Sequence, residues 1–248
     1  MNKVLLVTGA SRGIGAATAL LAAQNGWSVA VNYTANSLAA DEVVRQIRAS
    51  GGHAMSVQAD VADEAQVLRM FEHVDAKMGR LSGLVNNAGV VDMSARLDEM
   101  SVARFKRMFD INVIGSLICA REAVRRMSTL HGGDGGSIVN VSSAASRLGS
   151  PGQYLDYAAA KGAIDAFTLG LAKEVAAEGI RVNAVRPGLI ETEIHASGGL
   201  PNRVKDLQHL VPAKRGGTAQ EVAEGIVWLL SDKASYTTMS FLDISGGR

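Results

Sequence analysis

Cysteine is nearly absent from this 248-residue chain. Cys119 stands alone, so no disulfide can form within the chain, and its place in the apolar run Leu117-Ile118-Cys119-Ala120 reads as an inert buried thiol. With one cysteine, and with His53, His73, His131, His195 and His209 at no metal-ligand spacing, no metal site is expected. No apolar stretch reaches the roughly eighteen residues that a membrane helix needs, and the first apolar run leads straight into a glycine loop rather than a signal-peptide cleavage site. A cytoplasmic protein free of membrane is therefore expected. Charge of one sign is missing too: 25 Lys and Arg against 24 Asp and Glu leave a net +1, which provides no field for nucleic acid or an anionic membrane. Small molecules, and further copies of the chain itself, remain as partners.

Glycine is plentiful, and its first cluster organises the rest. The run Val4-Leu5-Leu6-Val7 ends in Thr8-Gly9-Ala10-Ser11-Arg12-Gly13-Ile14-Gly15, after which apolar residues recur at helical spacing through Leu20 and Leu21. Strand, tight loop and helix in that order form a phosphate cradle, because a helix starts with unpaired N–H groups and partial positive charge, and glycines let an anion approach them. The pattern is T-G-x-x-x-G-x-G; the literal G-x-G-x-x-G fails at Thr18. The same alternation recurs. Helical stretches near 36–49, 63–78 and 154–178 end at glycines and are followed by short strands at 54–59, 81–86 and 180–186, while 101–127 reads as two helices meeting near Asp110-Ile111-Asn112. Asp63, Ser101 and Thr218 are expected helix caps. One α/β domain over 1–248 is expected, a doubly wound, Rossmann-type parallel sheet of about seven strands with helices on both faces. The glycine-rich 131–136 stretch reads as a mobile loop, and the irregular 188–212 segment as a flap over substrate.

Ligands in such sheets bind at the carboxyl ends of the strands. Gly9 to Gly15, Asp60-Val61, Asn86 to Gly89, Ser142-Ser143 and Pro187-Gly188 all fall there. Tyr157 and Lys161 lie four apart on a helix and share one face, whereas Tyr154 has Ala158 at that spacing. A phenol ordinarily holds its proton to pH ~10, so Tyr157 suits proton donation to a developing alkoxide, and a nearby ammonium favours the reverse step.

Together, Thr8 to Gly15, Asn86-Asn87-Ala88-Gly89, Asn112, Ser143, Tyr157 with Lys161, and Pro187-Gly188 resemble the ordered motifs of the short-chain dehydrogenase/reductase family in its compact form, over essentially the whole chain. The resemblance implies a catalytic set: Ser143 on the substrate carbonyl with Ser142 as a rival, Tyr157 as acid/base, Lys161 on the nicotinamide ribose, and Asn112 anchoring a proton-relay water. It implies a cofactor bed of Gly9, Ser11, Arg12, Gly13, Ile14, Gly15, Asn32, Asp60, Val61, Asn86, Ala88, Gly89, Tyr157, Lys161, Pro187, Gly188, Ile190 and Thr192, with Asp60 on the adenine amine and Thr192 on the nicotinamide amide. It also implies a homotetramer, with 101–127 and 154–178 at an interface. Two positions depart from the family pattern: Ser82 stands where an acid is common and Met239 where glycine is common.

The end of the second strand, Val31-Asn32-Tyr33-Thr34-Ala35-Asn36, lacks the acid that would hold a ribose 2′-hydroxyl and repel a 2′-phosphate. NADP is therefore expected over NAD, with Arg12 carrying the phosphate. The expected activity is reversible hydride transfer between NADP(H) and a carbonyl or alcohol. The alternatives are an NAD-linked sugar or secondary-alcohol dehydrogenase and, less favoured, a cofactor-sensing protein without turnover.

Overall fold

The computed structural model describes residues 3–248. In chain order the elements are β1 (Lys3–Val7), α1 (Gly13–Gln24), β2 (Trp27–Tyr33), α2 (Ser37–Ala49), β3 (Ala54–Gln58), α3 (Glu64–Met78), β4 (Leu81–Asn86), α4 (Val102–Phe109), α5 (Gly115–Met127), β5 (Gly136–Val141), α6 (Ala145–Leu148), α7 (Leu155–Val175), β6 (Ile180–Pro187), β7 (Ile190–Glu191), α8 (Ile194–Ser197), α9 (Arg203–Leu207), β8 (Gly217–Thr218), α10 (Ala219–Leu230) and β9 (Phe241–Ile244). Seven strands form one parallel sheet in the order β3-β2-β1-β4-β5-β6-β9. Its central strands bury nearly every residue, as Val- and Leu-rich runs must when helices cover both faces. One core layer joins α1, α2 and α10 to the sheet; the other joins α3, α5 and α7. Strand order reverses between β1 and β4, which opens a crevice at their carboxyl ends.

Helix starts are written locally. Asn36, Asp63, Ser101 and Thr218 each accept a hydrogen bond from a backbone N–H of the first turn. The 101–127 stretch divides as expected, and the joint is one π turn, Asp110–Ile114, in which the Gly115 N–H reaches back to the Asp110 carbonyl.

Two expectations are corrected. The 131–136 stretch is pinned rather than loose: the Gly133 N–H donates to the Ser128 carbonyl at 2.8 Å, that of Gly135 to Met127 at 2.8 Å, and that of Gly136 to Gly179 at 3.0 Å. The glycines are there for close approach of backbone to backbone. The segment 188–212 is likewise not structureless. It carries β7, which pairs with β8, and then α8, α9 and a 3-10 turn, Gln208–Leu210.

Candidate active site

The loops after β1, β3, β4, β5 and β6 surround a cleft of about 710 Å³, within the range of small-molecule sites. At one end lies the glycine loop. Gly9 (φ +60°) and Gly13 (φ +54°) occupy left-handed backbone, where a side chain is strained. A Cβ on Gly15 would lie 2.6 Å from the Gly9 carbonyl oxygen and 2.5 Å from Asn87 Nδ2, so the helix can start this close to the loop only with glycine. Helix α1 begins with no side-chain cap and no acid in its first turn. Its first N–H groups have no intrahelical partners and face the cleft at Gly13 and Ile14. Exposed Arg12 makes no ion pair among the described residues.

Asparagines brace this end. Asn32, 1% exposed, accepts from the Gly9 N–H at 3.0 Å and donates to the carbonyls of Ala59 at 3.1 Å and Val57 at 3.3 Å. Asn87 donates to the carbonyls of Thr8 and Gly9. Asn86 donates to Ser116 O and Asn140 Oδ1. Asn112, in the π turn, clamps Val90 from both sides, accepting from its N–H and donating to its carbonyl, each at 3.1 Å.

At the other end α7 supplies the titratable groups. Lys161, 4% exposed, donates to the Val141 carbonyl at 2.7 Å, and its Nζ lies 5.5 Å from the centre of the Tyr157 ring. Burial holds its pKa down to about 8, opposed by the charge of Asp165. Burial pushes Tyr157 up to about 12, opposed by a hydrogen bond with the Ser143 side chain. Burial thus favours the protonated phenol at Tyr157. Ser142 is committed elsewhere, to Asp165 Oδ1 at 2.6 Å and the Lys161 carbonyl, so the hydroxyl on Tyr157 is that of Ser143. The buried ion pair of Arg104 with Asp156, at 2.8 Å, anchors the first turn of α7.

Gly9, Ser11, Arg12, Gly13, Ile14, Asp60, Val61, Ala88, Gly89, Ser143, Tyr157, Lys161, Pro187, Gly188, Ile190 and Thr192 all border the cleft. Gly15, Asn32, Asn86 and Asn112, which the sequence points to as ligand contacts, do not border it. Their side chains or close approaches hold the loops that do.

A family model described as enoyl-(acyl carrier protein) reductase matches residues 9–248. An uncharacterized oxidoreductase of Escherichia coli K12 is 57% identical over 245 residues, covering 99% of both chains. The 3-oxoacyl-[acyl-carrier-protein] reductase of Synechocystis is 39% identical over 246 residues, 99% of this chain and 96% of that one. The chain belongs to the short-chain dehydrogenase/reductase family. A solved short-chain type dehydrogenase/reductase from Mycobacterium marinum superposes with a TM-score of 0.93 at 34% identity, over 99% of this chain and 94% of that one.

As a family member the protein is an oxidoreductase enzyme that works with a nicotinamide cofactor. The glycine loop fits the pyrophosphate of such a dinucleotide, since glycines without Cβ and uncapped helix N–H groups stand together there. Leu148, Arg203 and Arg248, which the sequence did not single out, border the cleft too, as do Tyr33 to Asn36, Asn87 and Tyr154, to which it gave no contact with a ligand. His195, in the 188–212 segment, is half-buried, bonded to the Ile190 carbonyl at 2.8 Å, and its pKa is lowered by burial. Among the described residues no cluster of ligands could hold a metal, and no helix is long and apolar enough to cross a membrane.

Proposed function

We propose that the enzyme reduces a carbonyl with NADPH, reversibly, with Tyr157 as the proton donor. The observation that carries this reading is the Tyr157 hydroxyl joined to Ser143, with the buried Lys161 Nζ 5.5 Å from its ring, in the same cleft as the glycine loop. A bound nicotinamide supplies the hydride. Ser143 and Tyr157 orient the carbonyl oxygen, and Tyr157 gives its proton to the alkoxide as charge develops there. Lys161, held by the Val141 carbonyl, presents its charge to the ribose side and to the phenol. Asn112 keeps the 89–90 turn in place, with its Oδ1 only 2.7 Å from where a Cβ on Gly89 would lie. The chain works as one domain over 1–248, with 188–212 as its substrate flap; Thr192 packs onto Gly13 across the cleft. The protein acts in the cytoplasm as a homotetramer. The exposed Leu155, Ala159, Ala166 and Leu169 on α7, with open space beside Gly162 and Gly170, support that assembly.

NADPH is favoured because the cleft rim past β2, Tyr33 to Asn36 with Ala39, holds no acid, and Arg12, which borders the same cleft, has no carboxylate partner among the described residues. The test compares NADPH with NADH in wild type, Arg12→Ser and Tyr157→Phe on a panel of ketones. Wild type should prefer NADPH, and Arg12→Ser should lose roughly tenfold of that preference. Tyr157→Phe should bind NADPH within about threefold of wild type yet fall by about a thousandfold or more in turnover. Retained turnover would remove Tyr157 from the chemistry, and a clear preference for NADH would overturn the cofactor assignment.

A further inference from the structure

The cleft that Tyr157 borders also carries a positive charge that no ion pair among the described residues balances. Arg203, in the first turn of α9, is half-buried in the cleft wall. Its guanidinium donates to the neutral amide of Gln153 at 2.5 Å and lies 5.1 Å from the centre of the Tyr154 ring. It forms no ion pair among the described residues, and the cation it does sense is that of Arg248, another cleft residue. The neighbouring arginines differ: Arg104 is matched by Asp156, Arg107 by Asp92, Arg147 and Arg186 by Asp243 and Asp165. Among the described residues, the acidic side chains that border the cleft are those of Asp60 and Glu193. Asp60 accepts from the Ala62 N–H, and Glu193 lies beside Gly13 at the glycine-loop end.

A half-buried cation without a counter-ion is costly to maintain, and its planar fork is built for oxyanions. Tyr154 holds the flap by donating from its hydroxyl to the Gly198 carbonyl at 3.0 Å, which leaves its ring face as the platform for Arg203. Tyr154 precedes Tyr157 by three residues at the start of α7, and both tyrosines and Arg203 border the same cleft. An anion at Arg203 and a carbonyl at Tyr157 can belong to one small molecule.

Building on the carbonyl-reductase reading, we propose that the substrate carries an anionic group, a carboxylate or a phosphate ester, which Arg203 grips at the Tyr154 end of the cleft. Arg203 is then a specificity-determining residue: it sets which ketones are bound, and the proton transfer at Tyr157 proceeds without it.

The test uses matched ketones with NADPH: acetoacetate against ethyl acetoacetate, levulinate against methyl levulinate, and dihydroxyacetone phosphate against dihydroxyacetone. In wild type at least one anionic member should exceed its neutral partner roughly tenfold in kcat/KM, and the pair that does so identifies the anion. Arg203→Met should raise KM for that anion by a factor of roughly 10 to 100 with kcat within about threefold, and Arg203→Lys should restore part of the loss. Activity on the neutral ketones, unchanged by Arg203→Met, shows that the variant is folded. Equal or better use of the neutral members by wild type, or an equal loss on both in Arg203→Met, overturns the proposal. Should no member of any pair turn over, the carbonyl-reductase reading fails separately. The decision on Arg203 then rests on thermal shifts of the NADPH-loaded protein with acetoacetate and dihydroxyacetone phosphate. A shift in wild type that Arg203→Met loses supports the anion site; no shift, or equal shifts, overturns it.

Discussion

The two ends of the cleft are made of different material. The glycine-loop end is mostly backbone: Gly9, Gly13 and Ile14 present it, the amides of Asn32 and Asn87 are consumed in holding loops together, and Arg12 is the charged side chain it adds. The α7 end is side chain: Ser143, Tyr157, Lys161 and Arg203 reach the cleft with groups that can donate, titrate or carry charge. A dinucleotide's pyrophosphate asks only for N–H groups and close approach, which a folded backbone provides once sterics permit. A reacting carbonyl asks for a proton at one place, which only a side chain can hold. The first end should therefore be sensitive to added atoms and the second to removed ones.

The sharpest way to break that contrast is Asn32→Asp. A familiar route to changing cofactor choice is to place an acid at the end of β2, but here the side chain points inward and its amide N–H groups donate to two carbonyls. A carboxylate there would face those carbonyl oxygens with no proton to offer. The expected outcome is a loss of about 3 kcal/mol in unfolding free energy, read by denaturant titration, with the NADPH to NADH ratio unchanged. A switch to NADH in a stable variant would mean that Asn32 reaches the ligand after all.

Next in size is Gly15→Ala, which adds one methyl group to the backbone end. The clash with the Gly9 carbonyl is with backbone and cannot be relieved by a rotamer. Overpacking of this kind costs about 2 kcal/mol, and NADPH affinity should fall at least about tenfold because the loop that moves is the one presenting the N–H groups. Fluorescence titration of NADPH checks it. Wild-type affinity would show that the loop has slack.

These two residues also mark the limit of what could be read from the sequence. Strand ends, helix caps and the glycine spacing are local, and they were legible: the caps at Asp63, Ser101 and Thr218 and the break near Asp110 all stand in the structure. The direction of a side chain is not local. Asn32 and Tyr33 are adjacent in β2 and point to opposite faces, so a one-residue matter of register decides which of them borders the cleft, and it is Tyr33. Arg203 lies in a short helix of an irregular segment with no hydrophobic period to place it. Only the packing of the 188–212 segment brings it onto Tyr154.

The α7 end has its own signature, in pH. Burial holds Lys161 near 8 in the folded protein against an ordinary 10.5. With Lys161 in the proposed role of a cation beside the phenol, kcat/KM for ketone reduction should fall above about pH 8 as that proton leaves, roughly tenfold per unit. Tyr157, pushed up to about 12, contributes no break in this range. Stability moves the other way. The unfolded state binds more protons between about 8 and 10.5, so the penalty for burying the ammonium, full below about 8, is relieved as pH rises through that window. Coincident loss of activity and stability above pH 8 would point to general unfolding instead.

The smallest expected effect lies outside both ends, where the sheet closes. Met239 precedes β9 and donates its N–H to the Val182 carbonyl at 2.7 Å, and it does so with φ at +60°. The left-handed region costs a residue with a Cβ about 1–2 kcal/mol, and the side chain, partly exposed to solvent, recovers little of that by burial. Glycine would remove the strain while widening the unfolded ensemble, so Met239→Gly should stabilise the fold by a net of about 1 kcal/mol, or about 2–4 °C in Tm. Kinetic constants should stay unchanged, because the residue borders neither the backbone end nor the side-chain end of the cleft. A lower Tm would mean that the methionine side chain holds β6 and β9 together more than its backbone strains them. A change in KM would mean that closure of the sheet edge is felt at Arg248, four residues past the end of β9.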